Sequence, residues 1–339
     1  MRSHRYSFFC RRGGVLQRFN LISPGPAGNI HKIGQSELQW LGGLTNGHLL
    51  LKTKRQGSAP NGGSVHPSQN LHDTWPQEVD PTTVCFSVDV EWAHPVVLDD
   101  LRRLFDEAGV VATFFVTHEG VLAPGHERGL HPNFRRNGDG YQAFLTAHRA
   151  ATDPLTESQA QRFVLERTLG FAPEAKGVRT HSLYSDSTLL PMYSALGLQY
   201  DCSYDMPFVG GLRPFWKTHD ILAIPIYYMD HIDLMTGATD FALAGLRLDR
   251  PVLKVFDFHP NMIYLNASDD AAYQASKLFY RDPERLLAAR NHGRGVRTLL
   301  LKLIDHVVAR RMPVARLDQI NACWRKMSHD ADMSYAGRN

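Results

Sequence analysis

Residues 82–90 read Thr-Thr-Val-Cys-Phe-Ser-Val-Asp-Val, a run of β-branched and apolar residues that closes on an acid. Such a run predicts a strand buried on both faces, as in a parallel sheet. Apolar residues then recur at helical spacing from Leu98 to Ala108, and Gly109 ends the pattern. Because a second apolar run follows at 110–116, the three segments predict the strand–helix–strand unit of an α/β domain.

The alternation continues towards the end of the chain. Further strands are predicted at 129–131, 176–179, 221–226, 252–258 and 314–317, and helices at 156–170, 185–196, 284–290 and 296–310. About seven strands with interleaved helices predict an α/β fold of the distorted (β/α)7-type barrel, with a single catalytic domain at 81–325 and a tail at 326–339. In such barrels the chemistry lies at the C-terminal ends of the strands.

The first 80 residues differ in composition from this domain. They contain Ser-Pro-Gly-Pro at 23–26 and Gly-Ser-Ala-Pro-Asn-Gly-Gly-Ser at 57–64, and they sustain no hydrophobic period. This composition predicts a low-complexity, disordered extension over residues 1–80. An Arg-rich organellar transit peptide, an extension upstream of the natural start codon and a real accessory segment are the alternatives.

Composition and charge exclude several classes of protein. With 43% hydrophobic and 21% charged residues, the chain has the balance of a folded globular protein. Residues 1–80 hold nine Lys/Arg against four Asp/Glu, so the remaining 259 residues carry a net charge of −2. A body of this charge does not predict a surface that binds phosphates of nucleic acid, and no nucleic-acid partner is expected.

The cysteines and the hydropathy bear on the compartment. Cys10, Cys85, Cys202 and Cys323 are widely spaced and form no Cys-x-x-Cys pair, so neither a zinc knuckle nor a disulfide framework is predicted. A reducing, cytoplasmic location fits this usage best. No window approaches the ~20 apolar residues that a membrane-spanning helix needs, and no secretory signal pattern is present.

The first predicted strand ends with two acids, Asp89 and Glu91. Residues two apart on an extended chain point to the same side, so both carboxylates are expected to converge where the strand ends. Carboxylates at close range repel each other unless a cation lies between them or one of them takes a proton. A helix cap or a surface salt bridge is the structural alternative for either acid.

Imidazoles follow other predicted strands. His-Pro-Asn occurs after two of them, at 131–133 and 259–261, and His181 follows Arg179 at the end of another. A single histidine in such a place is more often structural, but three at equivalent strand ends favour a shared site. Carboxylate, imidazole and guanidinium groups on one rim suit a divalent metal with oxygen and nitrogen ligands.

Five short motifs in this order resemble the NodB-homology polysaccharide deacetylases, carbohydrate esterase family 4. They are Phe86-Ser-Val-Asp-Val-Glu91, Ala112-Thr-Phe-Phe-Val116, Glu127-Arg-Gly-Leu-His131, Gly177-Val-Arg179 and Phe258-His259. The branch with Gly-Leu-His-Pro-Asn-Phe in place of the usual second motif, which is associated with surface-polysaccharide gene clusters, is the most similar. The resemblance covers about residues 82–325.

The resemblance implies a role for each matching residue. Asp89 takes the place of the catalytic base, and Glu91, displaced by one residue, that of the metal ligand beside it. His131 matches the first of two metal-binding histidines that lie four apart in the family. Arg179 matches the residue that holds the base, and His259 matches the general acid.

One position departs from the family pattern. The second metal-binding histidine falls at Arg135, whose guanidinium stays protonated and has no free lone pair for a metal. Three alternatives therefore stay open: His181 completes the site, Asn133 or a water does so, or the metal is lost. His118, after the second predicted strand, ranks below His181 as a substitute.

The cofactor that the resemblance implies is a divalent metal, Zn²⁺ first, held by Glu91, His131 and His181, with an orienting acid near Asp230 and His231. It implies a hydrolase of non-peptide C–N bonds that removes an acetyl group from an N-acetylated sugar or polysaccharide precursor, in O-antigen or capsule biosynthesis. The expected partner is a carbohydrate substrate. The alternatives are a non-catalytic carbohydrate-binding relative and a metal-assisted amidohydrolase acting on a non-sugar amide.

Overall fold

The computed structural model describes residues 4–12, 15–23, 75–150, 152–237 and 240–336, and the chain divides into two units, Met1–Pro67 and Ser68–Asn339. In the first unit, strand β1 (His4–Arg12) pairs antiparallel with strand β2 (Val15–Ser23). The Gly- and Pro-rich stretches that led us to predict a disordered extension lie outside the described residues, and the disorder stays a prediction.

The second unit alternates strands and helices. Its strands are β3 (Val84–Asp89), β4 (Ala112–Val116), β5 (Glu127–Leu130), β6 (Gly177–Val178), β7 (Tyr200–Asp201), β8 (Phe215–Lys217), β9 (Ile221–Ala223), β10 (Tyr228–Met229) and β11 (Lys254–Phe258). Its helices are α1 (Pro95–Ala108), α2 (Asp139–Ala147), α3 (Glu157–Phe171), α4 (Leu189–Ala195), α5 (Asp230–Thr236), α6 (Pro260–Leu265), α7 (Asp270–Ser276), α8 (Pro283–Ala288), α9 (Val296–Ala309) and α10 (Leu317–Ala336).

These nine strands form one curled half-barrel sheet in the order β10-β11-β3-β4-β5-β6-β7-β9-β8. All neighbours are parallel except β8 and β9. The predicted α/β class and barrel-like architecture are confirmed. The sheet has more strands than predicted, because β7, β8 and β10 are only two or three residues long and leave no hydrophobic period in the sequence.

The centre of the sheet is buried on both faces. Every residue of β3, β4 and β11 is buried, which is why these strands read as continuous apolar runs. Helix α1 covers one face through Leu101 and Phe105, and it ends where Gly109 adopts a left-handed backbone with φ of 67°. Burying each such side chain contributes about 1.5–3 kcal/mol to folding.

Residues just before the predicted domain boundary already pack on this unit. Trp75 contacts Trp324 edge-on with 5.2 Å between ring centroids, and Val79 is buried. Helix α10 continues past residue 325 to Ala336, across the place where a tail was predicted. None of the helices in the described ranges is long and apolar enough to cross a membrane.

The prediction of a strand at 314–317 is wrong. Val314 forms a single bridge with Val84, and Leu317 already begins α10. Leu317 is fully buried on the helix, so its apolar character reflects packing and not a β conformation. A four-residue segment with three apolar residues, Val-Ala-Arg-Leu, does not by itself distinguish a short strand from the first turn of a helix.

Candidate active site

A turn of uncommon backbone geometry begins the rim at the carboxyl ends of the strands. Strand β3 ends at Asp89, and Glu91 and Trp92 follow in the left-handed region with φ of 50° and 56°. Such residues cost about 1–3 kcal/mol each and persist when their surroundings hold them. Here the Trp92 N–H donates to the Thr117 hydroxyl at 3.1 Å. The turn interrupts the alternation of the strand and places the Glu91 carboxylate against two imidazoles.

Glu91, His131 and His181 form a group that we call the rim cluster. Oε1 of Glu91 lies 2.7 Å from Nδ1 of His181 and 3.3 Å from Nε2 of His131. His131 directly follows β5 and its N–H donates to the Val116 carbonyl, while the His181 N–H donates to the Pro132 carbonyl. One ligand atom from each of the three side chains lies within 4.8 Å of the other two.

The rim cluster fits a divalent metal ion. Two imidazole nitrogens and one carboxylate oxygen are ligands that zinc takes in sites with an open position for water. Nδ1 of His131, which faces Asp89, is buried and has no hydrogen-bond partner among the described residues, so the polar groups of this imidazole are not all satisfied by the protein. Burial alone would raise the pKa of Glu91, but hydrogen bonds from His131 and His181 hold it well below its usual range. The carboxylate is therefore ionised, as a ligand must be.

Asp89, Arg179 and Asp257 form an adjoining group that we call the buried ion cluster. The Arg179 guanidinium is fully buried, and its Nη1 donates to Oδ1 of Asp89 at 3.1 Å and to Oδ1 of Asp257. Its Nη2 donates to the Ser87 hydroxyl at 2.9 Å and its Nε to the Cys202 carbonyl at 3.0 Å. With all three nitrogens engaged, the guanidinium holds the Asp89 carboxylate in one position.

The two carboxylates of the buried ion cluster respond differently to burial. Burial would raise the pKa of Asp89, but the charges of His131, Arg179 and His259 outweigh it and lower this pKa. Burial, together with repulsion from Asp89, raises the pKa of Asp257 well above its usual value. Asp89 is therefore the ionised member of the pair, and it lies 3.6 Å from Nδ1 of His131 in the rim cluster.

Asp89 and Asp257 also bring ligand atoms within 4.8 Å of His259. We assign no metal to this second group, because the Arg179 guanidinium already supplies positive charge to both carboxylates.

His259 lies where β11 passes into α6, and Asp230 fixes its ring. Nδ1 of His259 lies 2.6 Å from Oδ1 of Asp230, and the His259 backbone N–H donates to Oδ2 of the same carboxylate at 2.9 Å. Burial alone would lower the pKa of His259, but the charge and hydrogen bond of Asp230 raise it to about 10. The imidazole is therefore a cation at neutral pH, with Nε2 left for another partner.

A cleft of ≈ 670 Å³ is lined by some residues of each group, while His131 lines a neighbouring cavity. Its lining includes Asp89, Glu91, His181 and His259, together with Arg135, His231, Tyr273, Lys277 and Tyr280. The ring of His231 contacts that of His259 with 5.5 Å between centroids. A cleft of this size accommodates a sugar ring, and polar groups that converge in one cavity are typical of an active site.

The structure brings all six predicted site residues into this region: Asp89, Glu91, His131, Arg179, His181 and His259. Among the alternatives, Asn133 accepts the Arg135 N–H through its Oδ1 at 3.0 Å and is therefore already engaged. His118 lies in another cavity, of ≈ 490 Å³, with its Nδ1 2.9 Å from the Thr117 hydroxyl. The roles of the six residues as ligands or catalytic groups stay predictions.

The sequence reasoning gave Asp257, the acid two residues before His259, no role in the site. The signal was available, because Lys254–Phe258 reads Lys-Val-Phe-Asp-Phe and an acid within a buried apolar strand needs a charged partner. Asp257 also lies two residues before His259, on the side of the strand that faces the site. The partner, Arg179, comes from a distant part of the sequence, and only the fold shows that they meet.

Comparison with known proteins identifies the class. Residues 86–277 match the family described as "WbmS-like: Polysaccharide deacetylase". The match spans more than half of the chain, and the chain therefore belongs to this family of polysaccharide deacetylases. The resemblance expected from the sequence motifs is confirmed.

Among solved structures, the chain is similar to WbmS of Bordetella bronchiseptica, a protein assigned as a polysaccharide deacetylase involved in O-antigen biosynthesis. The two are 30% identical with a TM-score of 0.56, over 67% of this chain and 91% of that one. A polysaccharide deacetylase structure from Mycobacterium smegmatis is 16% identical with a TM-score of 0.45, over 75% and 93% of the chains. Among curated proteins, none matches the chain.

Proposed function

We propose that the protein is a metal-dependent hydrolase that removes an acetyl group from an N-acetylated sugar or polysaccharide precursor. The observation that carries this proposal is that two members of the rim cluster, Glu91 and His181, line one cleft together with Asp89 and His259, while His131 bonds to Glu91 from behind them. Family membership supports a carbohydrate substrate. The assignment of WbmS to O-antigen biosynthesis supports a surface-polysaccharide precursor.

The metal proposed for the rim cluster is zinc. When bound, it supplies Lewis-acid chemistry, lowering the pKa of a water and polarising the acetyl carbonyl. Glu91, His131 and His181 would hold it. Arg135, in the place of the family's second histidine, takes no part in this set, because a guanidinium has no lone pair to donate.

Asp89 acts as the base in this proposal. It is ionised, adjoins the rim cluster and is held by Arg179, so a carboxylate oxygen accepts a proton from water without first having to move. The oxygen of that water adds to the acetyl carbon. Arg179 is a positioning residue, because its nitrogens are spent on protein partners and it is fully buried.

His259 acts as the acid. Its Nδ1 is held by Asp230, which leaves the Nε2 proton for the nitrogen of the departing sugar. An amide nitrogen leaves poorly unless it is protonated, so the C–N bond breaks as His259 donates. The products are acetate and a sugar with a free amino group. The pKa of about 10 keeps His259 in its donating form across neutral pH.

The proposal includes a cytoplasmic location. Cys85, Cys202 and Cys323 are free thiols, and the first two are buried in the domain. Reduced thiols are the usual state of cysteine in that compartment.

The test is acetate release from N-acetylated sugars by the full chain, with and without a chelator, together with the zinc content of the purified protein. Glu91→Gln replaces a proposed ligand, and we expect both zinc affinity and activity to fall by at least about 100-fold, since even residues that only support a ligand account for ~10–100-fold. Glu107→Gln, at an exposed position on α1, is the matched control and leaves both unchanged.

Activity that survives chelation and the Glu91 substitution would overturn the metal role. A protein that binds carbohydrate without stoichiometric zinc and without acetate release would instead be the non-catalytic relative. A panel of non-sugar amides in the same assay identifies the other alternative, an amidohydrolase of different specificity.

A further inference from the structure

Three cations lie at the walls of the candidate active site. Arg135 lines both the main cleft and an adjoining recess of ≈ 350 Å³. Lys277 lines the main cleft and Arg281 lines the recess. The recess also contains Glu91 and His181 of the rim cluster, so these cations surround the place where the acetyl group is expected.

The arginines among these cations have no carboxylate partner among the residues that the structure describes. Within the described ranges, neither Arg135 nor Arg281 lies within 4 Å of an acidic oxygen. Arg136, the next residue along, behaves differently: its Nη2 lies 3.4 Å from Glu157 and its guanidinium stacks 5.8 Å from the ring centre of Tyr141. The guanidinium of Arg135 is therefore available to a ligand, whereas that of Arg136 already contacts Glu157 and Tyr141.

Acidic side chains in the same walls do not balance this charge. Glu91 is bonded to the two histidines and Asp89 to Arg179. The remaining acid of the recess is Asp139, in the first turn of α2. Excess positive charge in a concave site raises the local concentration of anions and accelerates their arrival.

The backbone around Arg135 is held in place. Its N–H donates to Oδ1 of Asn133 at 3.0 Å, and its carbonyl accepts the Gly138 N–H at 2.8 Å. A Cβ at Gly138 would lie 2.6 Å from Nδ2 of Asn133, so the turn requires glycine there. Because the turn is fixed, Arg135 binds a ligand with less loss of backbone entropy than a residue on a mobile loop.

We propose that the substrate is an N-acetylated sugar that carries an oxyanion, either a carboxylate or a phosphate, and that Arg135 binds this group. The inference rests on the proposed function and names its substrate class. A guanidinium presents parallel N–H donors that match the two oxygens of a carboxylate or phosphate. Lys277 and Arg281 add charge of the same sign. Arg135 is thus a specificity residue at the position that the family uses for a ligand.

The first experiment compares acetate release from N-acetylglucosaminuronic acid, N-acetylglucosamine 6-phosphate and neutral N-acetylglucosamine. We expect kcat/KM to be at least tenfold higher for one of the two anionic sugars, and the preferred one identifies carboxylate or phosphate. Arg135→Gln raises KM for that sugar by about 10–100-fold, the range for a hydrogen bond to a charged group. In the same variant the ratio of kcat/KM for that sugar to kcat/KM for the neutral sugar falls at least tenfold, and Arg136→Gln leaves this ratio unchanged.

A binding series keeps this inference separate from the reaction. Glucuronic acid, glucose 6-phosphate and glucose carry the same groups without an amide, and calorimetric titration of the full chain measures their affinities. Tighter binding of an anion that weakens at least tenfold in Arg135→Gln supports the inference even when no sugar releases acetate, in which case only the proposed function fails. Equal affinity for glucose and both anions, or equal losses in the two arginine variants, overturns it.

Discussion

Ionisable side chains are buried at both the carboxyl and the amino ends of the strands, and they have different bonding partners at the two places. At the rim, Arg179 lies between Asp89 and Asp257, so the ionised carboxylate of Asp89 faces an opposite charge. At the amino ends of the strands, Nζ of Lys254 donates to the carbonyls of Arg250 and Val252 at 2.6 and 3.1 Å. The Arg179–Asp89 pair keeps its charges, whereas Lys254 has no counter-ion within bonding distance in the part of the chain that the structure describes.

Glu127, at the amino end of β5, follows the same rule as Lys254. Its oxygens accept from the hydroxyls of Thr113 and Tyr200 at 2.7 and 2.6 Å and from the Asp318 N–H at 2.9 Å. Burial, with repulsion from Asp318, raises the pKa of Glu127 to about 7. Burial likewise lowers the pKa of Lys254 to about 8. At the amino ends of the strands, burial thus shifts the pKa values of Glu127 and Lys254 towards the neutral forms. At the rim, in contrast, Asp89, Glu91 and His259 keep the charges that the proposed chemistry needs.

The largest expected effect comes from removing one partner at the rim. Arg179→Met leaves Asp89 and Asp257 buried without their cation, and we expect the free energy of unfolding in urea at pH 7 to fall by about 3–5 kcal/mol. Lys254→Met removes a charge that faces neutral carbonyls, and we expect a change of less than about 2 kcal/mol. Equal losses of unfolding free energy in Arg179→Met and Lys254→Met would contradict the proposed difference between the rim and the amino ends of the strands.

A double variant tests the cause of the first loss. Arg179→Met with Asp257→Leu removes the cation and one of the two carboxyl groups bonded to it, so fewer buried polar groups are left without a partner. We expect it to be more stable than Arg179→Met alone. A double variant that is less stable would mean that Asp257 contributes through packing and not through its charge.

The central strands were predictable because burial on both faces leaves a mark in the sequence. Strands β3, β4 and β11 are continuous apolar runs, and the structure has them within a few residues of the predicted bounds. The two-residue strands β7 and β10 were not predictable, since their conformation depends on neighbours in the sheet and not on local pattern. Tertiary pairing alone defines them.

The site was predictable to the extent that its residues follow strands. Asp89, His131 and His259 stand at strand ends, and the parallel sheet carries such ends to one rim. The left-handed turn at Glu91 has no sequence signal, although it explains why the acid displaced by one residue still reaches the histidines. The availability of Arg135 was equally hidden, because it depends on which acids other elements bring near.

A smaller effect is expected at high pH, where His259, the proposed acid, loses its proton. Asp230→Asn removes the charge that raises the pKa of His259 to about 10, so burial then dominates and the pKa falls. The wild-type protein keeps His259 protonated until the pH approaches 10, and the variant loses the proton at a lower pH. We therefore expect kcat/KM, measured from pH 5 to 11, to decline at lower pH in the variant. Asp305→Asn, at an exposed position on α9, is the control.

The smallest expected effect is a pH dependence of the free energy of unfolding that arises from Glu127, at the amino ends of the strands. The folded-state pKa of Glu127, about 7, lies above its ordinary value of 4.5, so the folded state binds the proton more tightly between these two values. The free energy of unfolding should therefore fall as the pH rises from 4.5 to 7, by at most about 3 kcal/mol from this group. Glu127→Gln carries no titratable proton, and urea unfolding at four pH values should show a flatter curve for it.

The difference between the wild-type and variant curves isolates Glu127, because the other titrating groups are common to both proteins. Glu107→Gln, exposed on α1, should run parallel to the wild type. Parallel curves for Glu127→Gln as well would mean that two hydroxyl donors and one N–H keep the buried carboxylate ionised throughout this range. Neutral donors would then keep Glu127 ionised as Arg179 keeps Asp89 ionised. A buried carboxylate in this domain would therefore not need an opposite charge to stay ionised.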